Sequence, residues 1–161
     1  NDEGKENLFA GRCDVYTTDA SGLSSTRAAA ANQDKWLVLP EIISKEPLGP
    51  LVRHGDHQWG DVVRWSLNAM IIAEELGVSS ENVDASLSSN VPEVLRLLGV
   101  EGSYGEMLEL APDWAYQIIK QIGNYSESYE ANVGPDTPLE IARGLNALWT
   151  QGGILYAPPF R

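Results

Sequence analysis

Basic residues are scarce: 11 Lys and Arg stand against 23 Asp and Glu, a formal charge of −12 over 161 residues. No cluster of cations is present to neutralise a phosphate backbone, so nucleic acid is excluded as a partner, and anionic membrane surfaces repel such a chain. No run of eighteen apolar residues occurs, so no segment reads as a membrane-spanning helix. Both glycine-rich phosphate fingerprints are missing, and no Gly-x-Ser-x-Gly elbow occurs, which removes the sequence support for phosphate cradling and for serine hydrolysis. Internal repeats and low-complexity segments are absent as well. Cysteine occurs once, at Cys13. A lone thiol leaves the redox compartment open and reads first as a small buried hydrophobe; in a secreted chain its partner would lie outside this sequence.

What is present is ordinary globular composition, with 43 % hydrophobic residues and five tryptophans. A chain of this length can bury roughly 70 % of its unfolded surface in one core. The organising stretch is residues 11–23, Gly-Arg-Cys-Asp-Val-Tyr-Thr-Thr-Asp-Ala-Ser-Gly-Leu. Val15, Tyr16, Thr17 and Thr18 are strand formers, and Asp19, followed by small residues, is a good helix N-cap. An acid at the carboxyl end of a strand in an open α/β sheet is well placed to meet a bound cation or ammonium. Asp19 is therefore a candidate ligand residue as well as a cap.

The Ala-rich stretch 21–31 predicts a helix ended by Asn32, and Trp36, Leu37, Val38 and Leu39, closed by Pro40, predict a buried strand. Strand, helix and strand in this order form a βαβ unit with parallel strands, which needs more strands than these two. The missing strands are expected from outside this chain or from another copy of it. Residues 1–9, with Leu8 and Phe9 as their apolar members, read as the end of a helix feeding the first strand, as in a fragment that opens mid-unit. Residues 41–53, punctuated by Pro47, Gly49 and Pro50, predict an extended connector. A long amphipathic helix follows from about His57 to Leu76, capped by Asp56 and stopped by Gly77. Further helices are expected over 79–82 onward, 92–98, 104–110, 112–122 and 124–133, with a last one opening at Thr137-Pro138 and running to Gly152.

Other constellations are weaker. His54, Asp56, His57 and Asp61 are suitable residue types for zinc, yet the set lacks a second ligand group downstream, and a turn plus an N-cap accounts for it. Glu74 with Glu75, and Glu127 with Glu130, could serve acid–base chemistry but read as solvated helix faces. Trp114, Tyr116, Tyr125, Tyr129 and Trp149 could line a ligand box and read more simply as core between helices. No cofactor and no metal is called for.

Three separated runs carry a resemblance: residues 11–23 as above, residues 39–50 (Leu-Pro-Glu-Ile-Ile-Ser-Lys-Glu-Pro-Leu-Gly-Pro), and Ala-Arg-Gly-Leu-Asn-Ala-Leu-Trp-Thr over 142–150 with Tyr-Ala-Pro-Pro over 156–159. In this order they resemble the periplasmic general L-amino-acid-binding proteins of bacterial ABC importers, over essentially the whole chain. The resemblance implies a partial type II periplasmic-binding fold of α/β class, in which a βαβ piece and a hinge strand precede a helix-rich C-terminal region. It implies that residues 1–40 close the inserted lobe, 41–53 include the return hinge, and 54–161 are the C-terminal part of the first lobe. Roughly the first half of such a protein would then be absent. The implied function is capture of L-amino acids in the periplasm and delivery to permease subunits, without catalysis. Asp19 would receive the ligand ammonium, with Thr17 and Thr18 as neighbours, and Cys13 would pair with a cysteine on a strand of the absent half. Two alternatives stand beside this: a non-binding, self-associating fragment, and a dehydratase-like lyase on the same scaffold.

Overall fold

The computed structural model describes residues 2–161; Asn1, at the head of the first expected segment, lies outside the described residues. The chain divides into two compact units, one of Asn1–Leu48 with Val133–Ala142, the other of Gly49–Asn132 with Arg143–Arg161.

In the first unit, helix α1 (Asp2–Phe9) buries Leu8, and Phe9 packs edge-on against Trp36 at 5.3 Å. Gly11, at φ +67, turns the chain out of that helix at no steric cost. Residues 15–18 run without regular structure to α2 (Ala20–Ala28), and a 3-10 turn (Gln33–Lys35) leads into residues 36–39. Trp36 has extended backbone angles, and exposure alternates along this segment, Trp36 and Val38 half-buried, Leu37 and Leu39 exposed. The expected βαβ unit is thus corrected: both flanking segments are present, but no strand is formed among the described residues. A strand exists through its ladder partner, and here neither segment has one. The predicted buried strand is accordingly open to solvent, Leu37 being 82 % exposed. Cys13 is half-buried with its thiol free. Residues 41–53 are extended or irregular and exposed, as their prolines require.

The second unit holds most of the buried apolar side chains. Helix α3 (His57–Glu75) starts where the Asp56 carboxylate accepts from the Trp59 N–H at 3.0 Å, and it stops before Gly77, at φ +69. It packs against α5 (Pro92–Leu97), α7 (Trp114–Ile122) and α8 (Tyr125–Asn132), while α4 (Val83–Ser86) packs on α7; α6 (Tyr104–Met107) lies between α5 and α7 in the chain. Ala69 and Ala73 are completely buried on α3, and small side chains there let the neighbouring helices approach the α3 backbone. Val78, Val83, Leu97, Leu98 and Ile119 complete the densest part of the core. Phe160, in the extended tail, is buried among the rings of Trp65, Tyr104 and Trp114, at centroid distances of 5.3, 5.4 and 6.1 Å.

The last expected helix is corrected too. After Thr137 the chain forms turns, with short 3-10 segments at Gly144–Asn146 and Trp149–Gln151 and a bridge between Leu148 and Leu155. The Thr137 hydroxyl donates back to the Gly134 carbonyl and accepts from the Leu139 N–H. Glu140, at φ +52, and Gly144, at φ +50, are left-handed, which no right-handed helix accommodates.

Candidate functional site

The candidate site is built on the entry to α2. Asp19 sits at φ −59, ψ 157, and its carboxylate oxygen Oδ1 accepts from the Gly22 N–H at 2.7 Å and from the Ser21 hydroxyl at 2.5 Å. The other oxygen, Oδ2, accepts from the Thr18 hydroxyl at a longer 3.3 Å. One oxygen is thereby committed to the helix start, and the other keeps acceptor capacity. Thr17 is exposed and Thr18 half-buried. Thr18 meets Asp19, whereas no hydrogen bond joins Thr17 to it among the described residues.

The Ser21 hydroxyl, then the Gly22 N–H and the Thr18 hydroxyl, hold the Asp19 carboxyl below its ordinary value of 3.8 against the opposing effect of desolvation. The group is an anion at neutral pH. Among the described residues no Lys or Arg pairs with it, whereas Glu74, Asp84 and Glu140 pair with Arg143, Lys120 and Arg27. Chemically, this is a carboxylate oriented by neutral donors, with its charge uncompensated and one oxygen turned to light duty.

Ser21 and Gly22 are the residues that sequence reasoning missed. A Cβ at Gly22 would stand 2.9 Å from Asp19 Oδ2 and 3.0 Å from Thr18 Cγ2, so glycine gives the carboxylate its room over the first turn. The signal was available in the run of small residues after Asp19, but not the reason for their smallness.

The other candidates separate. His54, Asp56, His57 and Asp61 line an open recess of about 390 Å³ with Arg53 and Arg64, all in the second unit. Asp56 caps α3, Asp61 pairs with Arg64 at 3.3 Å, and no metal-ligating group of three is formed among the described residues. Glu74 is bound to Arg143, and Glu75 accepts from the Trp149 indole. Burial pushes the Glu127 carboxyl up, but the Ser80 hydroxyl and the N–H groups of Asn124 and Ser80 outweigh it, and the net direction is down. Glu127 is thus a staple between α8 and the loop after α3. Of the aromatic series, Trp114 is buried, Tyr116, Tyr125 and Tyr129 are half-buried, and Trp149 is exposed.

No protein-family model matches the chain. It is 55 % identical over 160 residues to the glutamate/glutamine/aspartate/asparagine-binding protein of Rhodobacter capsulatus, covering 99 % of this chain and 47 % of that protein. It is 56 % identical over 154 residues to the general L-amino acid-binding periplasmic protein of Rhizobium johnstonii, covering 94 % of this chain and 45 % of that one. A putative amino-acid ABC transporter-binding protein of Escherichia coli is 53 % identical over 161 residues. Among solved structures, an ABC transporter periplasmic binding protein from Brucella ovis with glutathione bound matches with a TM-score of 0.93 at 50 % identity, over 99 % of this chain and 50 % of that chain. The resemblance carried by the three sequence runs is therefore borne out, and the fold is that of about half a periplasmic binding protein. The chain spans about half the length of the curated relatives it matches.

Proposed function

We propose that this chain is the C-terminal half of the amino-acid-capturing component of an ABC importer, acting in the periplasm and delivering its ligand to permease subunits. The observation that carries the reading is the Asp19 carboxylate, anionic, fixed by the α2 start and without a cationic partner among the described residues. In this role Asp19 Oδ2 receives the α-ammonium of the ligand, with Thr18 steering the carboxylate and Thr17 beside it. A charge-assisted hydrogen bond of this kind is worth about 1.5 to 3 kcal/mol, a substantial part of the roughly 8 kcal/mol that micromolar affinity requires.

The ligands named for the relatives support recognition of the head group. Glutamate, glutamine, aspartate and asparagine share a free α-ammonium and α-carboxylate, and glutathione, bound to the Brucella ovis protein, keeps both on its γ-glutamyl end. A site that reads this head and leaves the remainder loosely enclosed admits all five. The relatives are binding proteins, which leaves the lyase alternative without support. In this reading residues 1–40 are the closing part of an inserted lobe, 41–53 include the return hinge, and 54–161 are the remainder of the first lobe. Cys13, in this arrangement, is available to a cysteine of the other half.

The partly exposed, unladdered segments 15–18 and 36–43 fit edges that the remainder of a full-length protein covers. Self-association of the isolated chain is the second way to cover them, and light scattering separates the two, since a clean monomer excludes it. The decisive test is calorimetry on a protein of the relatives' full length. Asp19→Ala and Asp19→Asn are expected to weaken amino-acid binding at least about tenfold, the loss of a charge-assisted bond, with the fold retained. Unchanged affinity in both variants removes Asp19 from the site. This chain alone is expected to bind free amino acids about a thousandfold more weakly than the whole, some 4 kcal/mol, and micromolar binding by the monomer contradicts that.

A further inference from the structure

The recess at the head of α3 lies wholly within the second unit, and its lining includes Arg53, His54, His57 and Arg64. Both histidines of the chain are gathered there with two of its arginines, in a protein where acids outnumber Lys and Arg by 23 to 11.

Local structure fixes how these side chains are presented. The Asp56 N–H donates to the Arg53 carbonyl at 3.3 Å and closes a turn in which Gly55 stands at φ +88, a conformation that favours glycine. Val52 packs toward the bare backbone of Gly60, where a Cβ would stand 3.7 Å from Val52 Cγ2. Gln58, in the first turn of α3, donates to the Leu108 carbonyl at 2.7 Å. The turn and the helix start are thus tied to fixed neighbours.

The acids of the recess are already engaged. Asp56 caps α3 through the Trp59 N–H, and Asp61 pairs with Arg64. Arg27, Arg64, Arg96 and Arg143 each pair with a carboxylate of this chain, whereas Arg53 has none among the described residues. Arg53 and the two imidazoles are exposed, and the Arg64 side chain stays 70 % exposed beside Asp61. What remains uncommitted at the mouth is therefore a guanidinium fork and two imidazole rings.

We propose that this recess docks an acidic segment of a partner protein, with Arg53 as the anchor for one carboxylate and His54, His57 and Arg64 around it. Charge complementarity gives the partner its sign, and the planar guanidinium suits a carboxylate taken by two parallel N–H groups. The openness of the recess gives the partner its size. A small molecule is held by enclosing most of its surface, which exposed side chains around an open recess do not do, whereas protein interfaces are rich in arginine and are closed by the partner's own bulk. Two guanidiniums are too few for a nucleic-acid backbone. Under the proposed function, and only under it, that partner is a permease subunit.

The test is NMR titration of this chain, isotope-labelled, with a hexaglutamate peptide, and with a hexalysine peptide and succinate as controls. Amide shifts with hexaglutamate are expected at residues 53–57 and 60–64. The apparent affinity is expected to fall about three- to tenfold in Arg53→Glu, and again when salt is raised from about 20 to about 200 mM. Arg53 is exposed, so the variant is expected to keep the fold, which unchanged spectra over α5 and α7 verify. Absence of shifts at these residues, or an affinity that Arg53→Glu leaves unchanged, overturns the proposal. So does succinate moving the same amides equally at equal carboxylate concentration, since the recess is then a site for free dicarboxylates. Calorimetry on the Asp19 variants tests amino-acid capture separately, so the two readings fail independently.

Discussion

Asp19 caps α2 through one oxygen, and in the proposed function the other oxygen receives the ligand ammonium. Its helix-capping half predicts that in this chain Asp19→Ala lowers the protection of the Gly22 amide against hydrogen exchange about fivefold, the equivalent of about 1 kcal/mol for a lost cap, while Asp19→Asn retains most of it. The pH dependence follows from the direction of the carboxyl shift. The folded-state value lies below the ordinary 3.8, so the stabilisation is complete above 3.8 and disappears as the pH falls through the lowered value. NMR of the Gly22 amide is expected to show protection flat from neutral pH down to about 4 and declining below it. The cap was legible in the sequence because its bond spans three residues, Asp19 to Gly22. The clearance that Gly22 provides was not, since it depends on where the Thr18 methyl and the carboxylate sit in space.

Among the elements, the Arg143 clamp has the clearest energetic signature. The Arg143 and Glu74 side chains are 16 % and 9 % exposed, and a charge left unpaired in such surroundings is costly. Arg143→Met is expected to destabilise the second unit by about 3 kcal/mol, and Glu74→Gln added to it to recover a large part, because the abandoned carboxylate is then gone. Urea titration followed by tryptophan fluorescence measures both, and equal stability of the single and double variants contradicts the account. Elements were readable where periodicity and a local stop agreed, as in α3 with its Asp56 cap and Gly77 stop. They were misread at Thr137-Pro138, a genuine start signal whose threonine bonds to Gly134 and whose successor Glu140 is left-handed.

For the whole molecule, the two units differ in what they bury. Among the described residues Leu8 is the buried hydrophobe of the first unit, and the rest of the buried apolar set lies in the second. Area removed from water is the main favourable term in folding, so the chain by itself is expected to protect α3 and α7 strongly in hydrogen-exchange mass spectrometry and α1 and α2 weakly. Adding a polypeptide equivalent to the other half of a relative is expected to raise protection over residues 15–18 and 36–43, and uniform protection in its absence contradicts this picture.

The sequence by itself determined what is decided within a turn or so of chain: the helices α2, α3, α7 and α8, the acid at the α2 start, the extended proline-rich connector, and a composition without the cations or apolar runs that nucleic acid or a bilayer would require. Tertiary structure decided whether strand-forming segments become strands, which apolar residues reach a core, and which carboxylates acquire an arginine. The physical reason is range. Caps and helix turns close over three or four residues, whereas a ladder partner for Val15, a ring cage for Phe160 or a cation for Glu140 is supplied by chain that is distant in sequence.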